Sequence, residues 1–304
     1  MWDMVIIGGG AAGLTAALYA ARAGKRVLVL DKAGGGGQIL DAPTIENYPA
    51  APGISGAEFI RFLVKQAKDS GAEIKAENVT SVTPGAPCSV KTAKHEYLSA
   101  AVLLATGSEP RRLPFPNEQA LRGNGVSYCA LCDGRFYRGR KVAVVGGGNT
   151  ALTEALYLSG VTDHVYLVHR RDTFRGEEEN VRRVLAAGNI TVLYDRIPVE
   201  AKTDNGKLSA LCLRHTVSGE EETLAVSAVF GAIGRVPDTA LYEPFALCEN
   251  GFLVTDENMR VLGKDGCVLP GIYAAGDCRK KRVRQLTTAV SDGTIAAVDI
   301  CEHN

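Results

Sequence analysis

Twice in this chain an apolar strand runs directly into a glycine-rich turn and then a helix: Val5-Ile-Ile-Gly8-Gly9-Gly10-Ala11-Ala12-Gly13, and later Val142-Ala-Val-Val-Gly146-Gly147-Gly148-Asn149-Thr150-Ala151. Few sequence features restrict a backbone more. The first glycine of each set, Gly8 or Gly146, suits a tight turn. Gly10 and Gly148 let the backbone approach a pyrophosphate, and Gly13, with Ala151 in the equivalent place, lets the helix pack closely. The helix N-terminus then faces the phosphates. A chain of 304 residues is comfortable for two domains. The repeat is read as a domain-level duplication and not a solenoid.

The copies differ where the next strand ends. Asp31 stands 31 − 8 = 23 residues after the first glycine, where a carboxylate can accept from ribose hydroxyls. In the second copy the residue at 169 − 146 = 23 is His169, which opens His169-Arg170-Arg171-Asp172-Thr173-Phe174-Arg175. Three guanidinium groups there suit a 2′-phosphate through bidentate, charge-assisted bonds. One site therefore fits the unphosphorylated ribose of FAD and the other fits NADPH. An ordinary glycine turn and a solvated, arginine-rich strand end are the plainer readings of the same residues.

Between the turns, strands and helices alternate with shorter β runs inserted. Ser55-x-x-Glu58 is a capping box that predicts a helix through about Asp69. Extended runs are expected near Glu73 to Ala76, Val90 to Thr92 and Tyr97 to Thr106, with a strand from Gly271 ending in a Gly276-Asp277 turn and a helix from Leu286 onward. Two proline-bearing stretches, Leu113 to Pro116 and Pro237 to Pro244, read as linkers. The expected fold is α/β, with two Rossmann-like, three-layer ββα nucleotide-binding domains, the second inserted into the first. The boundaries are residues 1–112 and 241–304 for FAD and 113–240 for NADPH and the dithiol.

Acidic and basic residues balance at 34 each, which gives no global argument for nucleic acid or an anionic membrane. Arg279-Lys280-Lys281-Arg282-Val283-Arg284 is the local exception, read as a solvated loop facing an acidic partner, with a nucleic-acid patch as the alternative. No apolar stretch reaches a membrane span and the N-terminus lacks signal-peptide features, so a cytoplasmic, globular enzyme is expected. There a Cys-x-x-Cys is more often catalytic or metal-binding than structural. The motif here is Cys129-Ala-Leu-Cys132-Asp133-Gly134. A structural zinc would need a second such pair, and Cys88, Cys212, Cys248, Cys267, Cys278 and Cys301 supply none. No metal is therefore expected; Cys278 reads as core filler and Cys301 as a helix-face residue.

Together, Cys-Ala-x-Cys-Asp-Gly, Gly-Gly-Gly-Asn-Thr-Ala, His-Arg-Arg-x-x-Phe-Arg and Ala-Gly-Asp followed by Arg-Gln occur in the order found in the low-molecular-weight thioredoxin reductases, which the chain resembles over nearly its whole length. By position, the resemblance implies that Gly8, Gly10, Ala12, Gly13, Asp31, Lys32, Gly37, Gln38, Ile39, Asn47, Ala105, Thr106, Gly107, Gly276, Asp277, Arg284, Gln285 and Leu286 surround FAD. It implies that Gly146, Gly148, Asn149, Thr150, Ala151, His169, Arg170, Arg171, Arg175 and Gly234 surround NADPH. Electrons would pass from NADPH through the flavin to a Cys129–Cys132 disulfide and on to thioredoxin or a thioredoxin-like protein, in a homodimer without nucleic acid or membrane. Cys132 would lie against the flavin, Cys129 would attack the partner, and Asp133 would protonate a leaving thiolate, which requires a carboxyl kept partly protonated. Rotation of one domain against the other would let nicotinamide and dithiol take turns at the flavin.

Two departures from the family pattern stand out. Arg135 precedes Phe136 where two aromatic residues are usual, and Thr153 stands beside Glu154 in place of an acid. The alternatives are a glutaredoxin-like partner, a ferredoxin-dependent relative, which would lack the second fingerprint and its arginines, and a flavin-based redox sensor with little turnover.

Overall fold

The computed structural model describes residues 1–42 and 44–303. It comprises two compact units, Met1–Glu109 together with Val236–Asn304, and Pro110–Arg235. The helices are α1 (Ala11–Arg22), α2 (Gly56–Asp69), α3 (Ala130–Asp133), α4 (Asn149–Ser159), α5 (Glu178–Ala186) and α6 (Leu286–His303).

The first unit is organised by a sheet in the order Arg260–Leu262, Val268–Ala274, Glu96–Leu104, Trp2–Ile7, Val27–Asp31, Glu73–Ala76, parallel except for its first strand. Its central strands are apolar on both faces because both faces are covered. Met4, Ile6, Val27, Val29 and Leu103 meet the alanines of α1 and α6. Val5, Ile7, Leu28, Leu30 and Leu104 meet Val79, Val82, Cys88 and Val90 of an antiparallel pair, Val79–Thr83 and Cys88–Thr92, which hangs from the start of Glu96–Leu104. Helix–sheet–meander is the three-layer ββα arrangement. The small residues of α1 allow a close helix crossing: a Cβ on Gly293 of α6 would stand 2.2 Å from the Ala12 carbonyl oxygen. The capping box of α2 forms, with Ser55 Oγ accepting from Glu58 N–H and Glu58 Oε2 accepting from Ser55 N–H, both at 3.2 Å.

The second unit repeats the plan with five parallel strands in the order Ile190–Leu193, His164–Val168, Lys141–Val145, Ala228–Gly231, Val126–Ser127. α3, α4 and α5 cover one face through Ala130, Ala151, Leu152, Ala155, Leu158 and Val184. The antiparallel meander Arg196–Asp204, Lys207–His215, Glu221–Leu224 covers the other through Leu208, Leu211 and Leu213.

The chain's two passages between the units form a short ribbon, Ser108–Pro110 beside Arg235–Pro237, and just inside the second unit the Arg111 N–H donates to the Gly234 carbonyl at 2.9 Å. The proline stretches read as linkers are partly core instead. Leu113 and Phe115 are buried in the second unit, and Tyr242 in the first, because each carries large apolar side chains that find a sheet face to cover.

The basic run at Arg279 to Arg284 is likewise not a solvated loop. Buried Asp292 on α6 accepts from Arg279 at 3.1 Å and from Lys281 at 2.9 Å, and Lys280 pairs with Glu249. The Arg284 guanidinium lies 4.1 Å from the Phe252 ring centroid. A buried carboxylate requires partners, and these cations supply them. Arg282 remains exposed.

Candidate functional site

At the first turn the glycines are dictated by backbone. Gly8 has φ +105°, and a Cβ on it would lie 2.4 Å from the Ala105 carbonyl oxygen; one on Gly13 would lie 2.0 Å from the Gly8 carbonyl oxygen. Gly10 differs, because a Cβ there would meet nothing closer than the Gly36 carbonyl oxygen at 3.7 Å. The face above the turn is open at that point. Asp31 closes the strand that follows. Its Oδ2 accepts from Gly9 N–H at 2.8 Å, and its Oδ1 accepts from Ala33 N–H at 2.8 Å and Gly35 N–H at 3.1 Å. The carboxylate thus ties the glycine turn to the Lys32–Gly37 loop. With about four lone-pair positions in all, it retains capacity for one more donor.

The other residues expected around this site come from both ends of the chain. Asn47 Nδ2 donates to Gln285 Oε1 at 3.2 Å, joining residues far apart in sequence. Ala105 N–H donates to the Ile7 carbonyl at 2.8 Å, Thr106 Oγ1 donates to the Asp238 carbonyl at 2.5 Å, and Gly107 has φ +75°. Gly276 N–H donates to Asp292 Oδ2 at 2.9 Å, so the same buried carboxylate that gathers the basic run also fixes the Gly276-Asp277 turn. Arg284 donates to the carbonyls of Lys281 and Arg279, at 3.0 and 3.2 Å. Gln38 and Ile39 lie in a short 3₁₀ turn, and Leu286 opens α6. Ala12 is buried where α1 meets Gly276 and Gly293, a packing position.

The second turn uses the same device in other residues. A Cβ on Gly146 would lie 2.4 Å from the Ala232 carbonyl oxygen, whereas one on Gly148 would meet nothing within 4 Å. Asn149 opens α4 and is held in place by Glu177, whose N–H donates to Asn149 Oδ1 at 2.7 Å and whose Oε1 accepts from Asn149 Nδ2 at 2.9 Å. His169 is buried, its Nε2 lies 3.0 Å from the Thr173 carbonyl, and its ring stacks on Phe174. It occupies the space a Cβ on Gly147 would need. Burial lowers its pKa, with the Thr173 carbonyl opposing, so the ring is neutral packing beneath the turn. Arg170, Arg171 and Arg175 are exposed, and among the described residues none pairs with a carboxylate. Thr150 and Gly234 are exposed, and Gly234 has φ +104°.

In the same unit Cys129 and Cys132 form a disulfide, with Cα atoms 5.3 Å apart, across the single turn of α3. Cys129 is half-buried at the N-cap, where its Sγ accepts from Cys132 N–H at 3.2 Å, and Cys132 is exposed. Leu131 and Phe136 beside it are 51% and 55% exposed, and Arg135 is exposed with them, which leaves an apolar and cationic rim around an accessible sulfur pair. Two acids flank the dithiol turn. Asp133 Oδ2 accepts from Ser127 Oγ at 2.6 Å, and Ser127 Oγ also accepts from Cys129 N–H at 3.1 Å. Burial pushes the Asp133 carboxyl above its ordinary range, against the Ser127 hydrogen bond. Glu154 on α4 is pushed up to about 7, by burial first, against the Ala130 amide and Arg235.

Ser127 has no part in the sequence motifs, and Glu154 enters them only as the neighbour of Thr153. The signal for Glu154 lies in its spacing, an acid three residues after Ala151 and four before Leu158 on the buried face of a helix. Ser127 stands two residues before Cys129, where a hydroxyl can bond a nearby backbone N–H. Among the described residues no cluster of His, Cys, Asp or Glu could hold a metal, and no helix is long and apolar enough to cross a membrane.

Residues 2–293 match the family model of the pyridine nucleotide-disulphide oxidoreductases. A thioredoxin reductase of Treponema pallidum is 42% identical over 97% of this chain and 95% of its own length. One of Bacillus subtilis is 36% identical over 99% and 94%. The crystal structure of thioredoxin reductase from Streptococcus pyogenes superposes with a TM-score of 0.91 at 35% identity, covering 99% of this chain and 97% of that one.

Proposed function

The chain belongs to the pyridine nucleotide-disulphide oxidoreductase family, and from that premise we propose that it carries electrons from NADPH through FAD and the Cys129–Cys132 disulfide to the disulfide of thioredoxin or a close relative. The observation that carries this reading is the accessible disulfide set beside the half-buried Asp133, in the unit whose strand after the glycine turn ends in three arginines that pair with no carboxylate among the described residues.

The residues present fit both cofactors. Open space over Gly10 and Gly148 leaves room for a pyrophosphate to rest on each turn, and Asp31 keeps one lone-pair position for a ribose hydroxyl. In this reading FAD lies in the first unit among Lys32, Gly37, Gln38, Ile39, Asn47, Ala105 to Gly107, Gly276, Asp277 and Arg284 to Leu286. NADPH lies in the second, with its 2′-phosphate on Arg170, Arg171 and Arg175. When bound, the two supply hydride transfer and deliver an electron pair to the disulfide.

The chain's own residues do the rest. Once the Cys129–Cys132 bond is reduced, the Cys129 thiolate attacks one sulfur of the partner disulfide, and the other partner sulfur leaves as a thiolate. Asp133, whose carboxyl burial pushes above its ordinary range and which Ser127 orients, gives that sulfur its proton. Cys132 then attacks Cys129, the internal disulfide re-forms, and the partner departs as a dithiol. Leu131 and Phe136 offer the partner an apolar contact, and Arg135 favours an acidic or polar rim.

The experiment is anaerobic titration with NADPH followed by thioredoxin, for the wild type and Cys129→Ser. The wild type should carry non-covalent FAD, bleach with NADPH and recover with thioredoxin. Cys129→Ser should bleach equally and lose all protein-disulfide turnover. Full turnover without the Cys129 sulfur would overturn the mechanism.

A further inference from the structure

A second acid besides Asp133 adjoins the dithiol turn. Glu154 projects from α4, whose Ala151, Leu152, Ala155 and Leu158 are buried against the sheet together with Ala130. α4 also closes on the far side of the dithiol turn, since a Cβ on Gly134 would lie 2.8 Å from Leu158 and 3.2 Å from Tyr157. Within that packing the backbone N–H of Ala130, the residue joined directly to Cys129, lies close enough to the Glu154 carboxylate to oppose the effect of its burial. Its Oε2 is buried without a hydrogen-bond partner. An ionised carboxylate so placed is costly, whereas a protonated one keeps its acceptor for Ala130 and sheds the charge.

We propose that Glu154 is a positioning residue of the dithiol: its carbonyl oxygen fixes the Ala130 amide beside Cys129, and its ionisation opposes reduction of the Cys129–Cys132 bond. The inference rests on the functional reading above. Reduction adds two electrons, supplied from NADPH, breaks the S–S bond, and takes up two protons when both sulfurs end as thiols or one when a thiolate remains. Negative charge on the sulfurs is stabilised beside a neutral Glu154 and repelled by an ionised one. Glu154 titrates near pH 7, so the enzyme's hold on its dithiol weakens as pH rises through neutrality. Among the described residues Arg235 is the charged group acting on it; Asp133, on the dithiol turn, is bonded to Ser127, and Tyr137 beyond it feels Asp133.

The test uses holoenzyme given one electron pair from dithionite, with the flavin band reporting how that pair divides between flavin and disulfide. Glu154→Gln keeps an acceptor for Ala130 and cannot ionise. At pH 8 its ratio of dithiol to reduced flavin should exceed the wild type's by about tenfold, and at pH 6 the two ratios should agree. A difference of equal size at both pH values, or none at either, overturns the proposal. Should Glu154→Gln fail to load FAD, Asp133→Asn serves alone: its ratio must bend near pH 7, and a straight course through neutrality overturns the proposal as well. Wild-type enzyme that moves no electrons from NADPH to its disulfide defeats the functional reading itself, whereas intact turnover without this pH contrast defeats only the role of Glu154.

Discussion

At the end of the strand that follows each glycine turn the first unit places Asp31 and the second places His169, and the surroundings of each turn follow from that choice. Asp31 gathers the amides of Gly9, Ala33 and Gly35, folding its loop over the turn with one carboxylate. His169 is buried beneath Gly147 and stacked on Phe174, which leaves the three following arginines in solvent without acidic partners among the described residues. The backbone device is common to both; the strand-end residue decides whether the turn presents an acceptor or a cluster of donors. The helices differ in the same spirit. Gly13 packs directly on the Gly8 carbonyl, while the second unit accommodates Ala151 at the equivalent place.

The sharpest break of this comparison removes the donors. Replacing Arg170 and Arg171 together by Ala should raise the Michaelis constant for NADPH by about a hundredfold or more, since each lost charge-assisted contact is worth about 1.5 to 3 kcal/mol. The constant for NADH should hardly move. Steady-state kinetics with both nucleotides decides it, and equal effects would remove the arginines from nucleotide choice.

A smaller effect is expected from exchanging the helix residues. Gly13→Ala puts a Cβ 2.0 Å from a backbone oxygen that cannot step aside, and should cost about 3 kcal/mol of stability together with FAD content. Ala151→Gly, which meets no clash, should cost about 1 kcal/mol through helix propensity. Denaturant unfolding of both variants would show whether the turns are as unlike in tightness as the distances say.

The smallest effect concerns the strand-end residues themselves. The pKa of His169 is lowered by burial in the fold, so its contribution to stability is complete above the unfolded value of about 6.5 and is lost as pH falls below it. Unfolding midpoints at pH 7.5 and 5.5 should converge for His169→Gln and separate for the wild type. An unchanged separation in the variant would show that the histidine is not the group that titrates.

What could be read from sequence was what rests on local chemistry. The glycine turns, the capping box at Ser55 and the cysteine pair each announce themselves within a dozen residues, because their backbone or covalent requirements are local. The meander of the second unit did not. Arg196–Asp204 is mostly half-buried or exposed and carries register shifts between Pro198 and Glu200 and between Lys202 and Thr203, which blur the alternation that marks a strand. Its one clear mark is Asn205-Gly206, both at positive φ, joining two strands as a tight hairpin. Charge misled in the opposite way: Arg279 and Lys281 look like surface residues until Asp292 is brought against them by a helix. Ser127 and Glu154 became legible only beside the dithiol turn they adjoin.

The hydrogen bond from Arg111 to Gly234 has an evolutionary consequence. It brings the beginning and the end of the second unit to one place, so the first unit is interrupted only at two neighbouring strands, and the loop-closure entropy of that long excursion is met within the second unit itself. A module that enters and leaves through adjacent strands can be gained, lost or exchanged as one genetic cassette without re-threading the sheet on either side. That is a physical route by which one glycine-turn plan could be copied into its own interior and then given a different strand end.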